Sequence, residues 1–291
     1  MNYSYCDFHT HTNLSDGNLS PQQLIDLARK HDIRVLAATD HNSTEDLTLL
    51  RQANPDIHLV QGAEISCRYT DSIGVEHEIH IPALGFDPGN AEMKELFRQN
   101  QPDRRPYIEE ILYKLRCNGI DLGTYEDIRR SAPDSKHFGR MQIAKVMVEK
   151  GAGGVSSISE AFDEYIGSFG ARRAYVPNTL CYVTMEQAVS AIRNAGGQAV
   201  LAHLFYYRMD DYENRRLVRY FRDLGGTAME TEYGRYSRRQ RDVLYEHFAK
   251  PNGLMVSCAS DYHGVDADET LDHRFGSALC EPLLEALGIK R

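Results

Sequence analysis

Short apolar runs alternate with amphipathic segments along most of the chain. The runs are six to eight residues long and most are rich in Val, Ile, Leu and Ala, which is typical of buried strands. They lie at residues 3–9, 35–40, 57–64, 79–85, 198–203, 227–232 and 254–261. Segments with helical spacing separate most of them, which predicts an α/β barrel, with an open parallel sheet as the structural alternative.

The helix signals are clearest after the first run. Ser20 is a favourable N-cap, Pro21 suits the first helical position, and Gln23 completes a capping box. Leu24 and Leu27 then begin an apolar stripe. A helix is therefore predicted from about residue 21, and a second one near residues 44–52.

Between residues 92 and 169 the pattern changes, because no convincing strand interrupts the helical spacing. Helices are predicted at residues 91–100, 106–118, 124–130, 139–150 and 157–166. We therefore expect an all-helical insertion after the fourth strand. The expected boundaries are 1–98 for the first part of the barrel, 99–178 for the insertion and 179–291 for the second part.

Histidines and carboxylates are concentrated at the ends of the predicted strands. The candidates are His9, His11, Asp16, Asp40, His41, Glu64, His80, His203, Asp261 and His263. A lone histidine such as His203 is more often an ordinary polar residue than a ligand, but five strand ends converging by accident is much less probable. Most candidates follow the carboxyl ends of strands, where an α/β barrel carries its active site.

The donor chemistry of this set favours metals of intermediate softness. Imidazole and carboxylate without thiolate point to Mn, Fe or Zn rather than to an all-oxygen Mg or Ca site. Leaving Asp40 aside, nine potential ligands exceed the needs of one ion, so two or three divalent ions are expected.

Composition and charge narrow the function classes. The chain has 291 residues and a net charge of −9, which argues against a protein that coats DNA. No apolar run reaches about 18 residues, and the first residues lack the pattern of a signal peptide. The six cysteines are scattered, so we expect reduced, mostly buried thiols and a cytoplasmic protein.

Six segments in order resemble the PHP (polymerase and histidinol phosphatase) family of metal-dependent phosphoesterases. They read DFHTHTNLSDG, AATDHNS, GAEIS, HEIHIPALGF, LAH and SDYHG. Two segments of the predicted insertion, FGRMQIAKVMVEKG and YIGSFGARRAYVP, resemble the PHP subgroup that hydrolyses 3′,5′-nucleotide bisphosphates or trims short RNA from its 5′ end.

The resemblance implies a distorted seven-stranded (β/α)7 barrel of PHP type and a trinuclear metal site. In that arrangement one metal takes His9, His11, Glu64 and Asp261; a second shares Glu64 and adds His80 and His203; a third takes Asp16, His41 and His263. Asp40 would orient a ligand histidine from outside the coordination sphere. A hydroxide bridging two metals would attack phosphorus, and Asp261, His203 and His263 are the catalytic candidates.

Arginines of the middle segment are candidates for a phosphate that is not cleaved, because guanidinium forks recognise phosphate bidentately. Arg140 begins a predicted helix, Arg172 and Arg173 follow a glycine-rich turn, and Lys136 and Arg104 have weaker support. Surface salt bridges are the alternative for each. Tyr206 is a candidate for stacking on a base, although core packing is an equal alternative.

The expected function is hydrolysis of the 3′-phosphate of a nucleoside 3′,5′-bisphosphate to give a 5′-nucleotide. Three alternatives stay open: a 5′→3′ exonuclease on short RNA, a phosphatase of the histidinol-phosphate type, and a metal-dependent nucleotide-binding module without catalysis. The expected partners are a small nucleotide and short RNA, with no membrane and no stable binding to bulk DNA.

Overall fold

A computed structural model describes residues 5–100, 104–131, 133, 138–167, 171–176, 182–265, 270–273, 275–276 and 278–289. The strands in these ranges are β1 Tyr5–Thr10, β2 Ile33–Ala38, β3 His58–Val60, β4 Gly62–Thr70, β5 Glu76–Leu84, β6 Val183–Thr184, β7 Gln198–Leu201, β8 Ala228–Tyr233 and β9 Met255–Ala259. The α-helices are α1 Pro21–Lys30, α2 Thr48–Ala53, α3 Ala91–Gln99, α4 Arg105–Cys117, α5 Tyr125–Ser131, α6 Arg140–Glu149, α7 Ile158–Ala161, α8 Met185–Asn194, α9 Asp211–Asp223, α10 Arg238–Leu244 and α11 Glu281–Ala286. Short 3-10 or π-helical turns cover Ala152–Gly154, Phe162–Ile166, Leu204–Tyr207, Tyr245–Ala249 and Lys250–Asn252.

The strands form two sheets that are joined by hydrogen bonds at two seams. The first sheet has the parallel order β1-β2-β3, and the second has the order β6-β4-β5-β7-β8-β9. At one seam the Glu64 amide donates to the Thr39 carbonyl oxygen, and at the other the Asp261 amide donates to the His9 carbonyl oxygen. The predicted α/β class is confirmed.

Strand β5 runs antiparallel to both of its neighbours, β4 and β7. The sheet is therefore mixed rather than uniformly parallel, which differs from a regular barrel of repeated strand–helix units. This reversal matters for the site. His80 is the central residue of β5, and because β5 runs antiparallel to β7 it lies beside the carboxyl end of that strand, where the Ala202 amide donates to the His80 carbonyl oxygen.

Most predicted elements appear close to their expected positions. Helix α1 has the predicted capping box between Ser20 and Gln23. Helix α2 begins four residues later than expected, since the Thr44 hydroxyl donates to the Gly62 carbonyl oxygen and holds that residue outside the helix. The two-residue strand β6 was not predicted, because tertiary pairing with β4 defines it rather than its own pattern.

The described residues between 99 and 178 contain helices and no strand. Their buried side chains form a hydrophobic cluster of their own, drawn from residues 107–174 and including Ile108, Ile111 and Ile143. A different cluster takes buried side chains from β1, β2, β3, β5, β7, β8 and β9, and helix α11 packs on it through Leu283 and Leu284. The helical segment and the strands thus have separate cores.

The cysteines differ from the sequence-based expectation. Cys258 in β9 and Cys280 before α11 form a disulfide, so the prediction that all thiols are reduced is wrong for this pair. The scattered spacing concealed it, because 22 positions separate the two residues and only the packing of α11 against β9 brings them together. Cys6, Cys67 and Cys117 are free. Among the described residues, no helix combines the length and apolar character needed to cross a membrane.

Candidate metal centre

All nine candidate ligands converge at one end of the strands. His9 lies in β1, Glu64 in β4 and His80 in β5, while the others follow strand ends: His11, Asp16, His41, His203, Asp261 and His263. His9 and His11 are fully buried, and Glu64 is 1% exposed. The backbone at His203 and Asp261 has positive φ values of 25° and 56°. Such strained conformations in non-glycine residues concentrate at functional sites.

The first group of donors surrounds the Nε2 atoms of His9 and His11, which lie 3.1 Å apart. His9 Nε2 is 3.3 Å from Glu64 Oε1 and 3.4 Å from Asp261 Oδ1. His11 Nε2 is 3.3 Å from both Glu64 Oε2 and Asp261 Oδ1. Both imidazole nitrogens thus lie within 3.4 Å of both carboxylates.

A second group shares Glu64. His80 Nδ1 is 2.9 Å and His203 Nε2 is 3.3 Å from Glu64 Oε1. The other oxygen, Glu64 Oε2, is 3.1 Å from His41 Nδ1. Glu64 therefore belongs to both the first and the second group and has the position of a bridging carboxylate.

A third group is built on Asp16. Its carboxylate oxygens lie 3.4 Å from His263 Nε2, 3.5 Å from His41 Nε2 and 3.6 Å from His11 Nδ1. His263 Nδ1 donates to the Asp261 carbonyl oxygen at 2.9 Å, so the lone pair that a metal ligand needs is on Nε2.

A tight turn presents Asp16 to the cluster. The Gly17 amide donates to the Thr12 carbonyl oxygen at 2.9 Å, and a Cβ atom at Gly17 would come within 2.5 Å of the His11 carbonyl oxygen. Asp40 holds this turn by accepting hydrogen bonds from the hydroxyls of Thr12 at 2.7 Å and Ser15 at 2.5 Å. Asp40 thus orients the turn that carries Asp16, and it also holds Ser15, whose hydroxyl lies 3.5 Å from His11 Nδ1.

The titration of these groups reflects their mutual charges. Burial alone would lower the pKa of His11 and His80, but the neighbouring carboxylates outweigh it and raise each pKa to about 10. Burial lowers the pKa of His41 to about 4. Burial would raise the pKa of Glu64, yet the surrounding histidines hold it well below its usual value. The pocket favours positive charge, which protons supply when no metal is bound.

The donor set fits divalent metal ions. In three places at least three imidazole and carboxylate donor atoms lie within 4.8 Å of one another: His9 with His11 and Glu64, His41 with Glu64 and His80, and His11 with Asp16, His41 and His263. Buried nitrogens and anionic oxygens that converge in this way suit a cation. Each group shares at least two residues with one of the ligand sets that the family resemblance implied, but His41 takes the place of His203 in the second group and His11 joins the third.

Two residues of β8 belong to the site and were missed in the sequence. Glu230 Oε1 accepts from His9 Nδ1 at 2.6 Å, and the Tyr233 hydroxyl donates to Asp261 Oδ2 at 2.7 Å. A carboxylate in the middle of a predicted buried strand was the signal that could have identified Glu230, because such residues are almost never fully buried unless they are paired.

We call the nine candidate ligands the metal-type cluster. Glu78 connects this cluster to two arginines of the helical segment. Its Oε1 lies 3.3 Å from His80 Nε2, and its Oε2 lies 3.6 Å from Arg140 Nη2. Burial would raise the pKa of Glu78, but His80 and the charges of Arg140 and Arg104 outweigh it and lower that pKa. Sequence reasoning missed Glu78 as well, although it lies two residues before His80.

Aromatic rings surround these arginines. Arg104 is 9% exposed and donates through Nη1 to the Tyr182 hydroxyl at 3.0 Å. Its guanidinium carbon lies 5.4 Å from the centre of the Tyr107 ring. We call Arg104, Tyr107, Arg140 and Tyr182 the arginine pocket.

The remaining candidates for substrate binding lie in more exposed places. Arg173 forms an exposed ion pair with Glu164, and the guanidinium carbon of Arg172 lies 4.4 Å from the centre of the Tyr175 ring. Tyr206 is 45% exposed, and its ring centre lies 6.0 Å from that of His203. Lys136 lies outside the described residues.

No protein-family model matches the chain. Among curated proteins, the chain is 33% identical over 265 residues to the 5′-3′ exoribonuclease Rnm of Escherichia coli (strain K12), covering 88% of this chain and 84% of that protein. It is 28% identical over 288 residues to the 3′,5′-nucleoside bisphosphate phosphatase of Chromobacterium violaceum, covering 97% of this chain and 95% of that one.

Two solved structures match nearly the whole chain. An amidohydrolase from Chromobacterium violaceum has a TM-score of 0.82 at 26% identity, covering 98% of this chain and 96% of that chain. A Bifidobacterium adolescentis protein described as a metal-dependent phosphoesterase has a TM-score of 0.77 at 23% identity, with coverage of 96% and 95%, and supports the fold alone. The chain therefore belongs to the PHP family of metal-dependent phosphoesterases, and within it is related to the Rnm exoribonucleases and the 3′,5′-nucleoside bisphosphate phosphatase.

Proposed function

We propose that this protein hydrolyses the 3′-phosphate of a nucleoside 3′,5′-bisphosphate to give a 5′-nucleotide and phosphate. The supporting observation is the position of Glu78, which contacts His80 of the metal-type cluster on one side and Arg140 on the other. One carboxylate separates the hydrolytic centre from an arginine pocket. A substrate with two phosphates suits this arrangement, because metal ions bound in the cluster would attract one phosphate and the arginines of the adjacent pocket would attract the other.

Two or three divalent ions, Mn, Fe or Zn, are proposed for the cluster. The first would be held by His9, His11, Glu64 and Asp261; the second by Glu64, His80 and His203; the third by Asp16, His41 and His263. When bound, such ions supply Lewis acidity and an activated water for attack at phosphorus.

Asp261, His203 and His263 are the proposed catalytic residues, because they belong, with His41 and His80, to the partly exposed side chains of the cluster. Their side chains are 18%, 10% and 10% exposed, whereas those of His9 and His11 are fully buried. Partly exposed groups can contact the ester and deliver a proton to the leaving oxygen. The fully buried side chains of His9 and His11 instead fix the geometry of the cluster.

The arginine pocket is proposed to bind the 5′-phosphate. Tyr107 supports this assignment, because its hydroxyl is buried without a hydrogen-bond partner among the described residues. A phosphate oxygen would accept that hydrogen bond and would also pair with the guanidinium groups of Arg140 and Arg104. Arg172 and Arg173 are assigned to the outer edge of the pocket, and Lys136 remains a further candidate.

A 5′→3′ exonuclease activity on short RNA is the second candidate function. Tyr206 favours it, because this exposed ring beside His203 offers a face on which a base can stack. The E. coli relative that is 33% identical is a 5′-3′ exoribonuclease. Both candidate reactions would use the same metal centre.

The ratio of kcat/KM for two substrates tests the bisphosphate assignment. Arg140→Ala removes a charge-assisted hydrogen bond worth about 1.5–3 kcal/mol, which corresponds to roughly 10- to 150-fold. We expect that loss on a 3′,5′-bisphosphate and little change on a nucleoside 3′-monophosphate. Arg105→Ala is the matched control, because Arg105 is exposed and pairs with Glu126.

An unchanged ratio in Arg140→Ala, and again in an Arg172→Ala/Arg173→Ala double variant, would show that these arginines do not recognise a second phosphate. Comparable rates on a pentanucleotide and on the bisphosphate in the unaltered protein would favour the exonuclease instead.

We also propose that the two sheets act as one distorted seven-stranded barrel and that residues 99–178 form a substrate-binding cap. The hydrogen bonds at both seams and the hydrophobic cluster drawn from seven strands support the barrel. The separate core of the helical segment, together with Arg104 and Arg140, supports the cap.

We further propose that the protein acts in the cytoplasm on nucleotides or short RNA, without a membrane partner. The net charge of −9 supports the absence of stable binding to bulk DNA. Because disulfides are rare in cytoplasmic proteins, cell fractionation is the appropriate test of the location.

A further inference from the structure

One buried carboxylate joins two of the proposed metal ligands. Glu230 in β8 is 1% exposed. Its Oε1 accepts from His9 Nδ1 at 2.6 Å, and its Oε2 accepts from the backbone amide of His203 at 2.9 Å. A single side chain therefore contacts β1 and the end of β7 at once.

The contact with His9 decides which ring nitrogen faces the cluster. An ionised carboxylate can only accept, so His9 Nδ1 must carry the proton that it donates to Glu230. His9 Nε2 then presents its lone pair toward Glu64 and Asp261. An outer carboxylate that fixes the tautomer of a ligand histidine is a recurrent way of orienting metal ligands.

The contact with His203 stabilises an unfavourable backbone conformation. His203 has φ 25° and ψ 52°, which a non-glycine residue seldom adopts. The hydrogen bond from its amide to Glu230 helps to hold this conformation, and with it the direction of the ring toward Glu64. Such strain persists only where surrounding contacts fix it.

A local irregularity in β8 explains how this strand serves the site. The pairing with β9 shifts register between Glu230 and Glu232, leaving Thr231 as an extra residue. A bulge of this kind re-aims the side chains that follow it. Glu230 and Tyr233 consequently both contact the cluster, whereas Glu232 pairs with Arg241 at 3.2 Å.

We propose that Glu230 is a positioning residue that sets His9 and His203 for metal binding from a strand that carries none of the nine candidate ligands. This inference rests on the proposed metal-dependent function. Loss of an outer partner of a metal ligand typically weakens metal binding about 10- to 100-fold.

The test compares Glu230→Gln with Glu232→Gln, the same chemical change two residues along the strand. A glutamine has one acceptor oxygen and one amide nitrogen, so it cannot accept both N–H groups. We expect zinc affinity, measured by chelator competition and elemental analysis, to fall about 10- to 100-fold in Glu230→Gln and to stay unchanged in Glu232→Gln. In zinc-loaded protein, we expect imidazole ¹⁵N–¹H spectra to show a protonated His9 Nδ1 that is lost or shifted in Glu230→Gln only.

Equal zinc affinity and an unchanged His9 signal in Glu230→Gln would overturn the inference. If that variant does not fold, the unaltered protein still decides, since a His9 bound to zinc through Nδ1 would also overturn it. Failure of the unaltered protein to bind any divalent metal would instead reject the proposed function.

Discussion

The metal-type cluster and the arginine pocket lie side by side but are built in different ways. The cluster gathers nine side chains from the ends of several strands, and most of them contact more than one neighbour. The arginine pocket takes two charged groups from the helical segment and surrounds them with tyrosine rings. Glu78 is the contact between the two.

This difference separates chemistry from recognition. The strands fix the cluster through the core of the sheet, so its geometry is part of the fold. The arginine pocket depends on a segment with its own hydrophobic core, and its composition can change while the cluster stays in place. We therefore expect changes in the cluster to affect all substrates and changes in the pocket to affect only some.

The largest effect is expected when a cluster ligand is removed. Asp261→Ala takes away an oxygen shared by His9 and His11, and should lower kcat/KM by more than the roughly 10- to 100-fold typical of outer partners. The loss should be the same for a bisphosphate and a monophosphate. Circular dichroism and elemental analysis would show whether the variant is folded and has lost metal. A loss confined to the bisphosphate would contradict the separation of the two regions.

An intermediate effect is expected from pH. In metal-free protein the pKa values of His11 and His80 are raised to about 10, so below that pH a metal ion must displace their protons. As pH rises toward 10, the apparent metal dissociation constant should fall about tenfold per pH unit for each proton displaced. The arginines keep their charge over this range, so the dependence belongs to the cluster alone.

The same pKa values make an opposite prediction for folding without metal. A raised histidine pKa stabilises the folded state fully below about pH 6.5, and this stability is lost as pH rises through about 10. Thermal unfolding of the metal-free protein should therefore occur at lower temperature as pH rises from 6.5 to 10. If metal binding tightens as pH rises but the metal-free protein loses no stability, the neighbouring carboxylates do not raise the pKa values of His11 and His80.

The sequence predicted the cluster well and the arginine pocket poorly, for a physical reason. The carboxyl ends of parallel strands lie at one edge of a sheet, so His9 and Asp261 could be placed together without knowing the packing. Glu64 was expected at the end of a strand at residues 57–64, but it lies near the start of β4. Arg104 and Arg140 meet only through the docking of helices across the site, which local spacing does not encode. The fold shows the same limit, since the reversal of β5 and the short strand β6 depend on pairing partners distant in the chain.

The smallest effect on metal binding is expected from a change in the core of the helical segment. Ile108→Ala removes a fully buried side chain in α4 and should cost about 2–5 kcal/mol of stability. If the segment has an independent core, hydrogen exchange should speed up mainly within residues 105–166 while zinc affinity stays unchanged. Ile65→Ala is the matched control, because this equally buried residue lies beside Glu64 in β4. This substitution should lower both the stability and the zinc affinity. Equal loss of zinc affinity in the two variants would show that the regions are one cooperative unit.

The Cys258–Cys280 disulfide gives the end of the chain a second covalent connection to the sheet. The resulting ring spans 22 positions, and Asp261 and His263 both lie inside it. In the chain-entropy model a ring of this size restricts the unfolded state by about 3 kcal/mol. Thiol reductants that open it would loosen the stretch of backbone bearing two proposed ligands without touching either side chain. The redox state of the surrounding solution thereby becomes a variable in any measurement of metal content.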